Sequence, residues 1–145
     1  MQKIVPFLWF DGKAEEAAKF YVSIFKNSKI LSATPMSVTF QLEGQPFYAL
    51  NGGPQYKFTP AISLFVNCET QQEVDNLWSK LSASPSDEQC GWLKDKYGLS
   101  WQIIPTILGK LMGDKNTKKA GAAVQAMLKM KKLDIKVLQK AFDDA

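Results

Sequence analysis

The chain has 145 residues, 46% of them hydrophobic and 22% charged, with a net charge of +4. This is the composition of one globular domain with a proper core, and it excludes a disordered polar chain. Histidine is absent altogether, which removes the Ser-His-Asp triad, the Cys-His dyad and every histidine-containing zinc or iron site.

In chain order, Ile4 to Phe10 (IVPFLWF) is a short apolar, aromatic run with strand character. Asp11 and Gly12 end it, with Asp11 expected to cap a helix whose first turn carries Glu15 and Glu16, where the macrodipole favours acids. Ala14 to Phe25 has helical period, with Ala17, Phe20, Tyr21 and Ile24 on one face. Lys29 to Ala33 begins another strand, and Ser37 to Leu42 alternates as a half-buried strand does. Glu43 to Pro46 reads as a turn, Phe47 to Leu50 as the returning strand, and Asn51-Gly52-Gly53-Pro54 as a breaker.

The pattern then restarts. Ala61 to Val66 is a strand, and Thr70 to Leu81 a helix with Val74, Leu77, Trp78 and Leu81 on one face. Ser82 to Asp87 is a loop, Gln89 to Leu93 a short strand, Asp95 to Gly98 a turn, and Leu99 to Ile104 a strand stopped by Pro105. Helices are expected over Thr106 to Met112, Lys118 to Met130 and Asp134 to Phe142. At an offset of 57 residues, Val5, Phe7 and Trp9 face Ile62, Leu64 and Val66, and the two helical stripes coincide; Gly44 to Leu50 matches Gly98 to Ile104 at 54. Each half thus reads strand, helix, then about three strands.

The lysines at 115, 118, 119, 129, 131, 132, 136 and 140 crowd the C-terminal helices. Without arginine or interleaved aromatics they read as a solvated helical face and not as a nucleic-acid surface. No stretch reaches the roughly 18 apolar residues that span a bilayer, and MQKIVP lacks the ordered regions of a signal peptide. Cys68 and Cys90 are too few for a disulfide framework, so a cytosolic chain with reduced thiols, away from membranes, is expected.

Several segments resemble the PhnB-like family, often labelled "3-demethylubiquinone-9 3-methyltransferase domain", within the vicinal-oxygen-chelate superfamily of glyoxalases, bleomycin-resistance proteins and dioxygenases. They are Pro6 to Gly12 with the Ala-Glu-Glu-Ala-Ala helix, Phe20-Tyr21 and Phe25, Phe40 to Gln45, Ala49 to Pro54, Gln89 to Asp95, Tyr97-Gly98, Ser100 to Gln102, and Lys132 to Ile135. The resemblance implies an α+β fold of two βαβββ modules around a cleft, usually a homodimer. It places the domain over 1–105, in modules of about 1–55 and 56–105, with 106–145 as a helical extension packed on it. Two departures stand out: Ile30 to Met36 is short beside the family, and Gln55 stands where many relatives carry histidine.

In metal-dependent branches of the superfamily, His, Glu or Gln side chains on cleft-facing strands hold a divalent ion. The resemblance puts the last such position at Gln102, with Tyr48 as its counterpart in the first module and only Phe7 and Trp9 on the opening strand. An amide without carboxylate or imidazole support is a poor first-row ligand, so no metal and no other cofactor are expected. Trp9, Asn51, Gln89, Cys90, Trp92, Trp101 and Gln102 are the candidate ligand-binding residues, aromatic walls with a few amides suited to a small, flat or hydrophobic molecule. Several have a plainer role: tryptophans as core, Asn51 as a turn residue, Cys90 as a structural thiol. No catalytic residue is assigned; Cys90 is the one nucleophile to weigh, although no histidine is present to activate it.

The expectation is therefore a metal-free small-molecule binding protein. The alternatives are a divalent-dependent lyase or isomerase using Gln102, or a thiol enzyme using Cys90. Methyltransferase chemistry is not expected, because Gly52-Gly53 runs into Pro54 and not into a helix of a doubly wound sheet.

Overall fold

The computed structural model describes residues 2–145, which form two units, one ending at Phe58 and the other beginning at Thr59. The first holds strands β1 (Phe7–Phe10), β2 (Lys29–Ala33), β3 (Ser37–Leu42) and β4 (Gln45–Asn51) and helix α1 (Ala14–Ile24). Its sheet order is β1-β4-β3-β2, with β1 parallel to β4 and the other pairs antiparallel. Strand alternation sends Leu8 and Phe10, Val38, Phe40 and Leu42, and Phe47 and Ala49 to one face, where all are buried together with Ala14, Ala17, Ala18 and Tyr21 of α1. Phe40 stacks on Phe47 at 5.3 Å and on Tyr21 at 6.3 Å.

The turn before β4 is tighter than the sequence suggests. Glu43 (φ 48°) and Gly44 (φ 81°) close a two-residue hairpin, the twisted kind that matches strand twist, so β4 begins at Gln45. Pro46 is tolerated inside β4 because β1 starts two residues later, opposite Tyr48, and no carbonyl of that strand awaits a donor at Pro46. Asp11 does not cap α1. The first helical N–H, of Ala14, donates instead to Asn51 Oδ1 at 2.9 Å from the end of β4, a cap supplied from across the sheet.

The second unit carries β5 (Ser63–Cys68), α2 (Gln71–Leu81), a single 3-10 turn (Pro85–Asp87), β6 (Trp92–Lys94) and β7 (Ser100–Pro105). The order is β5-β7-β6, with β5 parallel to β7 and β6 antiparallel to it. Helix α2 is capped at its N-terminus: Thr70 Oγ1 accepts from the Glu73 N–H, and Glu73 Oε1 reaches back to the N–H of Glu69, one residue before the cap. Its Val74, Leu77, Trp78 and Leu81 are buried, as the period predicts. Three helices follow: α3 (Thr106–Met112), α4 (Thr117–Leu128) and α5 (Ile135–Asp143). They share a core of Leu108, Leu111, Ala123, Leu133 and Leu138, to which β7 contributes Ile104.

The α+β class and the doubled arrangement are as expected, with a three-stranded sheet in the second unit. Gln89 to Leu93 is not a strand throughout: Cys90 (φ 52°) and Gly91 (φ 89°) form a hairpin turn, and Gln89 and Trp92 exchange both backbone hydrogen bonds across it. The helices repeat at 57 residues, but the strands do not. Phe7 pairs with Tyr48 and Phe65 with Gln102 on the faces away from the helices, which sets offsets of 58 and 54. The expected match of Phe7 with Leu64 is one residue out, and a one-residue slip in a strand exchanges its two faces.

Candidate functional site

Each sheet has one face turned away from its helix. In the first unit that face carries Phe7 and Trp9 of β1, Thr39 of β3 and Tyr48 and Leu50 of β4, with the Phe7 and Tyr48 rings edge to face at 6.1 Å. The Trp9 indole N–H donates to the Gly53 carbonyl at 2.9 Å, and the Tyr56 ring meets the indole edge-on at 4.9 Å. The chain passes so close beneath that a Cβ on Gly52 would lie 2.3 Å from the indole. The double glycine is therefore the room that Trp9 occupies, beyond being a turn signal.

Asn51 belongs to the other side of this sheet. It shares strand parity with Phe47 and Ala49, and its carboxamide is committed at both ends: Oδ1 to the Ala14 N–H and Nδ2 to the Pro35 carbonyl at 3.0 Å.

In the second unit the face away from α2 carries Phe65, Gln102 and Trp92, which lie in one row across β5, β7 and β6. Gln102 Nε2 donates to Ser63 Oγ at 3.0 Å. This bond holds the amide through its NH₂ group, and its carbonyl oxygen is an acceptor in a row flanked by Phe65 and Trp92. Phe65 is 54% exposed. Lys94, on the same side of β6 as Trp92, pairs with Asp87 at 3.8 Å.

Trp101 cannot join Gln102, because adjacent strand residues point to opposite faces. It is 2% exposed, and its indole N–H donates to Asp95 Oδ2 at 2.9 Å. Asp95 is itself buried, and its Oδ1 accepts from the Tyr97 and Leu99 N–H groups at 2.8 and 3.1 Å.

Gln89 and Cys90 sit in the hairpin turn against the C-terminal helices. Gln89 Nε2 lies 3.1 Å from Cys90 Sγ and 3.4 Å from the Leu128 carbonyl, while the Cys90 N–H donates to the Met130 carbonyl. Of the seven candidates, Trp92 and Gln102 therefore share one row and Trp9 stands on the other sheet's equivalent face. Trp101 and Asn51 lie on helix-covered faces, and Gln89 and Cys90 serve a turn.

One member of the row, Phe65, and the Ser63 that holds Gln102 escaped sequence reading. Phe65 and Ser63 lie in AISLFV, where four of six residues are large and apolar and no alternation marks the face. Cys68 is buried, and burial, with Glu73 and Glu69 close by, pushes its thiol up to about 12. A neutral thiol is a poor nucleophile. A maleimide at pH 7.5 is therefore expected to label Cys90 alone in the folded protein, with Cys68 reacting only on unfolding; mass spectrometry of labelled peptides reads this directly. The raised value also sets a sign with pH. The contribution of the protonated thiol is complete below about 9 and is lost as pH rises toward 12. Urea midpoints of Cys68→Ala should thus fall less steeply than wild type between pH 9 and 10.5.

The donors on the two faces away from the helices do not fit a first-row divalent ion. They are amides, hydroxyls and a phenol, among them Gln41, Asn67 and Gln102, then Ser37, Thr39, Ser63 and Ser100, and Tyr48. Among the described residues no three His, Cys, Asp or Glu side chains are grouped to hold a metal.

Two small sheets, each opened by a parallel strand pair and backed by one helix, define the glyoxalase-like, or vicinal-oxygen-chelate, class. The family model described as 3-demethylubiquinone-9 3-methyltransferase matches residues 2–104, and the chain belongs to that PhnB-like family. The PhnB protein of Bacillus cereus is 40% identical over 72% of this chain and 100% of its own, with a TM-score of 0.62. A Staphylococcus aureus protein is 32% identical over 70% of this chain and 94% of its own, with a TM-score of 0.33. A glyoxalase/bleomycin resistance protein/dioxygenase domain from Frankia is 15% identical over 72% of this chain and 92% of its own, with a TM-score of 0.49. No curated protein matches the chain significantly.

Proposed function

We propose that this protein binds a small, flat, uncharged molecule without a metal ion, through the Phe65–Gln102–Trp92 row. One observation carries the reading: an amide held by Ser63 in a row flanked by two aromatic side chains, on a face where Lys94 is paired with Asp87. Aromatic flanks supply area and stacking, and the fixed acceptor supplies orientation. The equivalent pair in the first unit, Phe7 and Tyr48, with Trp9 beside it, offers a second surface of the same kind. The reading includes a homodimer in the cytosol, the dimer taken from the family resemblance and the compartment from two unpaired cysteines.

The methyltransferase named in the family description is not part of this reading. The two sheets have four and three strands and no doubly wound nucleotide fold, and Pro54 follows Gly52-Gly53 without a helix. Nor does Cys90 act as a nucleophile in it, since its turn is occupied with holding the C-terminal segment.

The test is a screen of neutral planar aromatic fragments by two-dimensional NMR, with Gln102→Ala and Phe65→Ala beside the wild type. Hits should move the Trp92 indole and Gln102 side-chain resonances and weaken about tenfold in Gln102→Ala, the loss of roughly one hydrogen bond. Saturable thermal stabilisation by Mn²⁺, Ni²⁺ or Zn²⁺, abolished in Gln102→Ala, would replace this reading with a metal-dependent one.

A further inference from the structure

The C-terminal helices are held to the rest of their unit in an uneven way. Their apolar cluster is nearly self-contained: of its buried members only Ile104 comes from the sheet. The remaining attachments are mainly polar and fall on one short segment between α4 and α5. The Gln71 carboxamide clamps that segment, Nε2 donating to the Leu133 carbonyl at 2.9 Å and Oε1 accepting from the Ile135 N–H at 2.8 Å. The Cys90 and Gly91 N–H groups donate to the Met130 and Lys131 carbonyls at 2.9 and 2.8 Å. Lys132 pairs with Asp75 at 2.9 Å on the surface, where such pairs contribute little.

The turn that receives this segment leads directly into Trp92. Cys90 is a non-glycine residue in the left-handed region, a conformation that persists where surroundings hold it. The holding bonds here come from the tail on one side and from β7 on the other, where the Ile103 N–H donates to the Gly91 carbonyl at 2.8 Å. A set of helices with its own core and few apolar ties to the sheet is the kind of element that opens below global unfolding.

We propose that residues 106–145 are a strap that opens as one unit, and that its docking on Gln71 and on the Cys90–Gly91 turn positions Trp92 in the Phe65–Gln102–Trp92 row. This rests on the proposed ligand row only for its purpose; the coupling itself is a property of the chain without ligand. The strap gives the row a closed arrangement when docked and a loosened Trp92 when released.

Site-resolved amide hydrogen exchange on the full chain tests this with no ligand, so a failed fragment screen leaves the result independent. The Cys90 and Gly91 amides bond to tail carbonyls and report docking directly. In Gln71→Ala they are expected to exchange about tenfold faster or more, together with α3, α4 and α5, while β5 and β7 keep their protection and the Trp92 indole resonance moves. Lys132→Ala, an exposed and milder change, should shift the same set in the same direction by less. Equal acceleration throughout the second unit, or no acceleration in either variant, would show that the helices do not open separately. Faster exchange in the tail with the Trp92 indole resonance unmoved would overturn the coupling.

Discussion

Gly91→Ala is expected to destabilise the protein by about 2–5 kcal/mol, the sum of roughly 1–2 for a side chain at left-handed φ and roughly 1–3 for overpacking. Gly91 has φ 89°, so the substitution is strained before any contact is considered. A Cβ there would lie 2.7 Å from Ile104 Cδ1, 3.1 Å from Leu133 Cδ1 and 3.3 Å from the Ile103 carbonyl. The two methyl ends can rotate away, but only into the core of the C-terminal helices, and the carbonyl belongs to β7 and cannot. Gly121, in α4 with nothing within 4 Å of its Cβ position, is the matched control. Gly121→Ala should stabilise by about 0.5–1 kcal/mol, the ordinary gain within a helix. Urea unfolding of both variants reads the contrast, and equal midpoints would mean that the Gly91 turn is not held as described.

Asp95→Ala is expected to cost about 3–5 kcal/mol, because it strands several buried donors at about 1–3 kcal/mol each, partly offset by relaxation. The carboxylate is 3% exposed and accepts from two backbone N–H groups and the Trp101 indole. It organises the turn between β6 and β7 and anchors the largest side chain of the second unit's interior in a single act. Asp95→Asn separates these roles. An amide keeps one oxygen, so either the turn or the indole retains its acceptor while the other faces an NH₂ group. Its loss should fall between wild type and Asp95→Ala, and the near-ultraviolet dichroism of Trp101 should change in both variants. A loss below about 1 kcal/mol in Asp95→Ala would mean that water replaces the carboxylate without difficulty.

Much of the fold was legible because its signals are local. The stripes Val74, Leu77, Trp78 and Leu81, and Ala17 with Tyr21, are periodic enough to place both helices and their buried faces. The strand in Ser37–Leu42 alternates cleanly for the same reason. What sequence could not supply is parity and partnership. Trp101 and Gln102 are neighbours in the chain and read as one cluster, yet pleating sends them to opposite faces. Asn51 looked like a turn residue or a ligand donor, whereas its acceptor role is toward a helix that starts 37 residues earlier. Phe65 gave no sign because it stands between Leu64 and Val66 in an unbroken apolar run, which does not mark which side it faces. Family resemblance identified the architecture and the position of Gln102. The Ser63 bond that orients this amide is visible only in three dimensions.

The pairing of each opening strand has a consequence for synthesis on the ribosome. Strand β1 finds its partner in β4, and Phe7 meets Tyr48, 41 residues further along. At about 5–20 residues per second, that partner is made roughly 2–8 s later. During this interval the segment IVPFLWF, rich in aromatic and branched side chains, has no strand to pair with. The hairpin of β3 and β4 closes through a two-residue turn and can form as soon as it emerges, so it offers a ready edge to which β1 returns. The nascent chain thus leaves this apolar stretch unpaired until β4 is made, an interval in which a holding chaperone would matter.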